Sequence, residues 1–319
     1  MAVRLLPDRF ILWLLAAVAL AAAVPVVGAA AAVVDAATLA AIFALFFLHG
    51  VRLPRAALVA GATDWRLHLA ILALTFALFP LAGFGLSLAL PGLLSPVLWT
   101  GLLFLCALPS TVQSSIAYTS IARGNVAAAV AAAAFSNLIG VFLTPALVAL
   151  MLQAQGARVS LDGIVRIFAL LFLPFLLGHA LRPRLAAIVA ARPRLTTLVD
   201  KGTILLAVYG AFSAATVAGT WRRVPPAEIA ALTGLLLALL AFVLAAAWAI
   251  GRCGGFAPES RAAMLFCGSV KSLASGVPMA RILFPGAAAG IVLVPIMIFH
   301  TLQLVVSAWI AGALARRGE

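Results

Sequence analysis

Long apolar stretches separated by short polar breaks run the length of the chain, and the stretches have membrane dimensions. They fall at 10–31, 34–51, 66–90, 97–121, 126–152, 163–181, 199–220, 227–250, 260–284 and 287–314. A helix of roughly 20 apolar residues crosses a hydrocarbon core, so the pattern predicts ten transmembrane helices. The Ala, Leu, Val and Phe runs are too long for barrel strands. The first thirty residues imitate a signal peptide, with Arg4, Arg9 and an Ala-rich end. Their apolar run is long enough to cross, however, and is read as the first span.

Two of the ten segments are interrupted. Lys271 stands in Phe266-Cys267-Gly268-Ser269-Val270-Lys271-Ser272-Leu273-Ala274-Ser275-Gly276-Val277-Pro278, about eleven residues into the ninth segment. A charge at that depth is costly, cannot easily snorkel to an interface, and marks a functional site that faces a cavity or a partner. The Gly, Ser and Pro around it weaken a continuous helix. The fourth segment carries a related run, Thr111-Val112-Gln113-Ser114, which parallels Ser269-Val270-Lys271-Ser272 and follows Pro109. Ten spans divide into two halves, 1–152 and 153–319. Five spans per half make the halves inverted repeats, with the broken helix fourth in each. Paired broken helices are the sequence mark of a secondary transporter.

Composition agrees with the class and removes rivals. The chain is 66% hydrophobic and 9% charged, with a mean hydropathy of +1.24, which no soluble domain could bury. The net charge of +13 raises nucleic acid as a partner, but the basic residues cluster in the loops. With the N-terminus inside, fifteen Lys and Arg fall on the cytoplasmic side and four outside, leaving Lys271 and Arg281. That bias puts both termini in the cytoplasm of a bacterial inner membrane, with the lipid bilayer as partner and no nucleic acid. The three cysteines are too scattered for disulfides or a metal. His49 to Arg55 and His179 to Arg184 look alike and are read as helix ends, where His and Arg meet the negative terminus and Pro stops the helix. Arg123-Gly124-Asn125 reads as a tight turn whose Gly and Asn suit a left-handed conformation.

All eight carboxylates, Asp35 and Asp200 among them, map to loops or span ends. A cation site would therefore use neutral oxygens. The candidates for substrate or ion binding are Thr111, Gln113, Ser114, Ser115, Asn137, Ser269, Lys271, Ser272, Ser275, His300 and Gln303. Lys271 can hold an anionic substrate group or take the place of a bound cation. No catalytic residue and no cofactor is expected.

At both breaks the chain resembles the bile acid:sodium symporter superfamily, in its SBF-like branch of bacterial sodium-dependent transporters. The supporting residues are Leu108-Pro109-Ser110 through Asn125-Val126, Ser136-Asn137, Leu143-Thr144-Pro145, and the run from Phe266 to Pro278. The resemblance implies ten helices in two domains: a core of spans 3–5 and 8–10, with spans four and nine unwound and crossing, and a panel of spans 1, 2, 6 and 7. Substrate would sit between core and panel, and their relative motion would give alternating access. By register, Cys267 stands near a sodium-binding Glu of the family, Lys271-Ser272 near a Gln-Asn pair, and Ala129 and Ala133 near a Ser and a Thr. Two-sodium coupling is then not expected. Lys271 is then expected to replace the cation at the crossing, with at most one weak sodium site at Ser114, Ser115 and Asn137.

The leading expectation is a secondary transporter of a small organic anion working by alternating access, not an enzyme. A regulatory membrane protein is the alternative, because a vertebrate branch of the family is associated with calcium handling. A third reading is an intramembrane hydrolase, with Lys271 and Ser275 as base and nucleophile. The sequence has no Walker A loop for an ATP-driven pump.

Overall fold

Helices account for nearly all of the computed structural model, which describes residues 9–52, 64–154, 168–284 and 286–316; the described residues contain no strand. In chain order they are α1 (Arg9–Ala23), α2 (Gly28–Arg52), α3 (Trp65–Ala89), α4 (Pro96–Ala107), α5 (Gln113–Ile121), α6 (Val126–Ala154), α7 (Leu173–Ala190, entered through a wide turn at Phe168–Phe172), α8 (Pro193–Val217), α9 (Pro226–Cys253), α10 (Pro258–Ser269), α11 (Leu273–Leu283) and α12 (Ala288–Arg316). Among the described residues, eight helical segments are long and apolar enough to cross a membrane. They include Pro258–Leu283, which α10 and α11 form together. The protein is an integral membrane protein.

Several expected boundaries move. The first two segments separate at Val24–Val27, around Pro25, not near Asp35. The Ala-rich run after Gly28 is good helix former and continues α2, so Asp35 lies about two turns inside that helix. α8 starts at Pro193, where a proline at the first helical position has no N–H to lose. Asp200 is therefore also two turns inside a helix, not at its edge. The reading of His179–Arg184 as a helix end does not hold, since α7 runs through Pro183 to Ala190; α2 is described as far as Arg52, and the rest of His49–Arg55 lies outside the described residues. The residues 53–63 and 155–167, including the expected start of the sixth span, lie outside the described residues.

α1, α2, α7 and α8 pack on one another, and α3 to α6 pack with α9, α10 and α12; the two sets meet where α8 runs against α11 and α12. The closest approach in the first set is between α2 and α7. A Cβ on Gly50 would strike the Phe175 carbonyl, and one on Gly178 the Phe47 carbonyl. The Pro258–Leu283 segment is the most enclosed element: 94% of its window is buried, against 17% to 50% in the other seven candidate spans. The broken helix with Lys271 is thus shielded from lipid on all sides, the condition under which irregular backbone survives at membrane depth.

The interlock of α2 and α7 leaves no room for a side chain. Gly178→Val is expected to lower the melting temperature of the detergent-purified protein by an amount equivalent to about 1–3 kcal/mol, the usual cost of overpacking. Gly234→Ala, where an added Cβ meets no atom within 4 Å, is expected to leave it unchanged.

Candidate functional site

Prolines create the site by removing donors. Pro109 ends α4 after Ala107, and residues 108–112 run as irregular chain before α5 begins. A helix end leaves carbonyls without partners, and here several have one supplied from elsewhere. Thr144 Oγ1 donates to the Ala107 carbonyl at 2.8 Å, the Ser272 N–H to the Pro109 carbonyl at 2.8 Å, and Asn137 Nδ2 to the Ser110 carbonyl at 2.9 Å. The Ser110 N–H donates to Ser136 Oγ at 2.9 Å. Gly140 lies directly under the break: a Cβ there would come within 2.8 Å of the Pro109 ring.

α3 supplies one more orphan. It widens into a π turn at Leu74–Leu78, and the Phe79 N–H bonds back to the Leu74 carbonyl. The Thr75 carbonyl then looks for its donor at position 80, which is proline.

Lys271 gathers these loose ends. Its side chain is 1% exposed. Nζ donates to the carbonyls of Thr75 (2.7 Å), Cys106 (2.7 Å) and Leu108 (2.8 Å), and lies 4.1 Å from the centre of the Phe79 ring. An ammonium has three donors, and all three are used. The second break, Val270 to Ser272, is held by Gln303 of α12. Gln303 Oε1 accepts from the Lys271 N–H at 2.7 Å and Nε2 donates to the Lys271 carbonyl at 2.9 Å. Nε2 also donates to His300 Nδ1 at 3.0 Å, so the His300 ring carries its proton on Nε2. Ser272 caps α11 by accepting from the Ser275 N–H, and Ser275 Oγ donates to Asn137 Oδ1 at 2.9 Å. Asn137 therefore ties the two breaks together.

A cavity of about 860 Å³ opens on the polar side of the breaks. Thr111, Gln113, Ser114, Asn137, Ser272, Ser275 and His300 line it. The other four candidates do not: Ser115 Oγ turns back to the Thr111 carbonyl, Ser269 Oγ donates to the Leu265 carbonyl at 2.5 Å, and Lys271 and Gln303 are engaged with backbone. Ser114 and Ser115 thus face different ways, Ser114 bonding to the Thr111 hydroxyl. Lys271 and Ser275 make no bond to each other, each being committed elsewhere.

The sequence missed the charged end of this cavity. Its walls there include His49 and Arg52 of α2 with Asp200 and Lys201 of α8. Arg52 grips Asp200 with both terminal nitrogens, at 2.9 and 2.6 Å, and His49 Nε2 lies 3.9 Å away. Lys201 Nζ sits 5.4 Å from the centre of the Phe10 ring. With the histidines neutral, two cations and one anion leave this end positive. Pro193 as a helix start was the signal that would have placed Asp200 and Lys201 two turns inside the helix. Tyr118 also lines the cavity and bonds to the Leu304 carbonyl at 3.0 Å.

The turn between α5 and α6 carries a correction. The left-handed residue is Arg123 (φ 56°), not Gly124 or Asn125. Gly124 is needed for closeness, since a Cβ there would come within 2.7 Å of Ala262. Asn125 caps α6 by accepting from the Ala128 N–H.

Residues 8–316 match the sequence profile of the SBF-like CPA transporter family. An uncharacterized protein of Pseudomonas aeruginosa, PA2026, is 49% identical over 317 residues, covering 99% of this chain and 95% of that protein. The Escherichia coli protein named "Putative symporter YfeH" is 44% identical over 224 residues, 70% of this chain and 68% of its own length. Sodium/bile acid cotransporter 7 of Danio rerio is 24% identical over 228 residues, 66% of each chain. A profile match along almost the whole chain and a relative of this identity leave one assignment: the protein belongs to the SBF-like CPA transporter family.

Proposed function

We propose that the protein is a secondary transporter that moves a small organic anion by alternating access, with the Lys271 ammonium standing where a coupling sodium ion would otherwise lie. The observation that carries this reading is the set of three carbonyls around Nζ. Oxygens released by broken helices are what transporters of this architecture offer to a cation. Here a tethered cation takes them. Because its donors are all used, the anion is held by other groups: the polar floor at Ser114, Asn137 and Ser275, and the positive end at Arg52 and Lys201.

The moving parts we assign from the packing are a panel of α1, α2, α7 and α8 and a core of the remaining helices, within two inverted five-helix repeats, 1–152 and 153–319, that make ten spans. The positive loops and the bacterial relatives favour an inner membrane with both termini in the cytoplasm. Supporting the alternation, α8 and α12 touch at one end and part at the other. A Cβ on Gly290 would come within 2.7 Å of Ala215, while Asp200 of α8 and Leu304 of α12 both line the cavity. Arg281 of α11 pairs with Asp35 of α2 near the closed end. The hydrolase reading has no assembled Ser–Lys pair to support it, and no observation favours the regulatory one.

Lys271→Gln leaves buried carbonyls short of donors, at about 1–3 kcal/mol each. Its melting temperature is expected to fall by several degrees. In a sodium titration at constant ionic strength the parent is expected to show no shift and Lys271→Gln a partial recovery, since a ligand specific to the folded state raises its stability. A parent stabilised by low-millimolar sodium would reject the replacement.

The closed end gives a second expectation. On a Cys253→Ser background, Ser114→Cys is expected to react with an impermeant maleimide from the Arg52 face only. Adding Arg281→Gln opens reaction from the opposite face, and the exchange Arg281→Asp with Asp35→Arg restores the parent pattern. Labelling unaffected by Arg281→Gln would remove the ion pair from the gate.

A further inference from the structure

A second cavity, of about 430 Å³, lies on the other side of Arg52 from the first. α2 and α7 meet backbone to backbone at Phe47 and Gly178. Beyond that contact the cavity lies among Val51 and Arg52 of α2, Arg182 to Ala190 of α7, and Pro193 and Thr196 at the start of α8.

The lining is amphipathic. Among the described residues of the wall, Val51, Ala186, Val189 and Pro193 are apolar, Arg182 and Arg52 supply positive charge, and none is acidic. Arg52 is engaged with Asp200. Arg182 has no acidic partner among the described residues, and its Nε is shielded from water without a hydrogen bond. A guanidinium whose inner nitrogen is dry and unpaired is short of an acceptor. α7 is also the least enclosed of the candidate spans, 17% buried, with Leu181 and Ile188 exposed on it. Arg184 of α7 is exposed and does not line the cavity.

We propose that this cavity holds the phosphodiester headgroup of an anionic phospholipid, with Arg182 as its main contact and the acyl chains along α7. A planar guanidinium matches phosphate oxygens in pairs, and basic pockets between membrane helices take such headgroups. The apolar wall and lipid-facing position favour a lipid phosphate over a soluble one. Arg52 is shared with the larger cavity, but Arg182 and the α7 wall are not, and the proposal does not rest on the transport reading.

The test is native mass spectrometry of the full chain in detergent, with dioleoylphosphatidylglycerol and dioleoylphosphatidylcholine offered at equal concentration. Preferential retention of phosphatidylglycerol is expected. Arg182→Gln lowers that retention about fivefold, the equivalent of ~1 kcal/mol for one basic side chain. Ala186→Leu keeps every charge but fills the cavity, and is expected to lose retention as well, which guards against a fold defect peculiar to the arginine variant. Arg184→Gln leaves it unchanged. Equal retention of the two lipids overturns the proposal. An equal loss in Arg184→Gln does so too, because the attraction is then diffuse surface charge. Complete displacement by millimolar inorganic phosphate would assign the cavity to a soluble anion and overturn the lipid.

Discussion

Every backbone N–H and C=O in a water-free interior must find a partner, and this structure turns on how two broken helices meet that demand. A continuous helix satisfies itself. Pro109 and the π turn before Pro80 remove that self-sufficiency and leave carbonyls facing inward. The side chains that answer come from distant parts of the chain: Thr144 and Asn137 on α6, Lys271 between α10 and α11, Gln303 on α12. Each makes a bond that only the folded bundle can make. The break is therefore an organising centre, since α3, α4, α6 and α12 are all held to it.

Lys271 is the strongest of these answers because a single group completes three carbonyls at once. A neutral hydroxyl or amide cannot donate three times to one point. A charge there would be prohibitive alone, but charge-assisted bonds to carbonyl oxygens and the face of Phe79 replace much of the lost water. The same completeness removes Lys271 from the cavity's own chemistry. The reading of an intramembrane lysine as a substrate anchor and its reading as a substitute ion compete for the same three N–H groups. The geometry commits all of them to backbone.

Much of this was legible in the sequence and some was not, for physical reasons. Membrane class follows from composition, and both breaks announce themselves through Pro109, Gly268 and Gly276 amid apolar runs. Seven of the eleven candidate residues line one cavity on the polar side of the breaks. Ser115 and Ser269 do not, because a hydroxyl one position round a helix can return to the preceding turn's carbonyl, and spacing alone does not separate the two fates. Asp35 and Asp200 were misplaced because hydropathy marks where charge begins, whereas the helix begins where the backbone allows. The Thr75 carbonyl could not be read as a partner of Lys271 because the two are 196 residues apart and nothing local couples them.

The misplaced Asp200 changes the electrostatic picture of the cavity. A half-buried carboxylate gripped by Arg52 leaves the arginine's charge largely spent, so the proposed anion would meet a paired arginine and the less committed Lys201. Such a pair is better suited to exchange than to capture: an anion that bonds Arg52 must share it with Asp200, which limits how tightly it can be held. Weak holding is what a carrier needs, because a substrate bound too well in one conformation is not released in the other. On the proposed transport reading, the fixed cation at the breaks and the shared cation at the mouth would divide two tasks: Lys271 would hold the broken helices together through the cycle, and the pairing of Arg52 with Asp200 would keep attraction for the anion reversible.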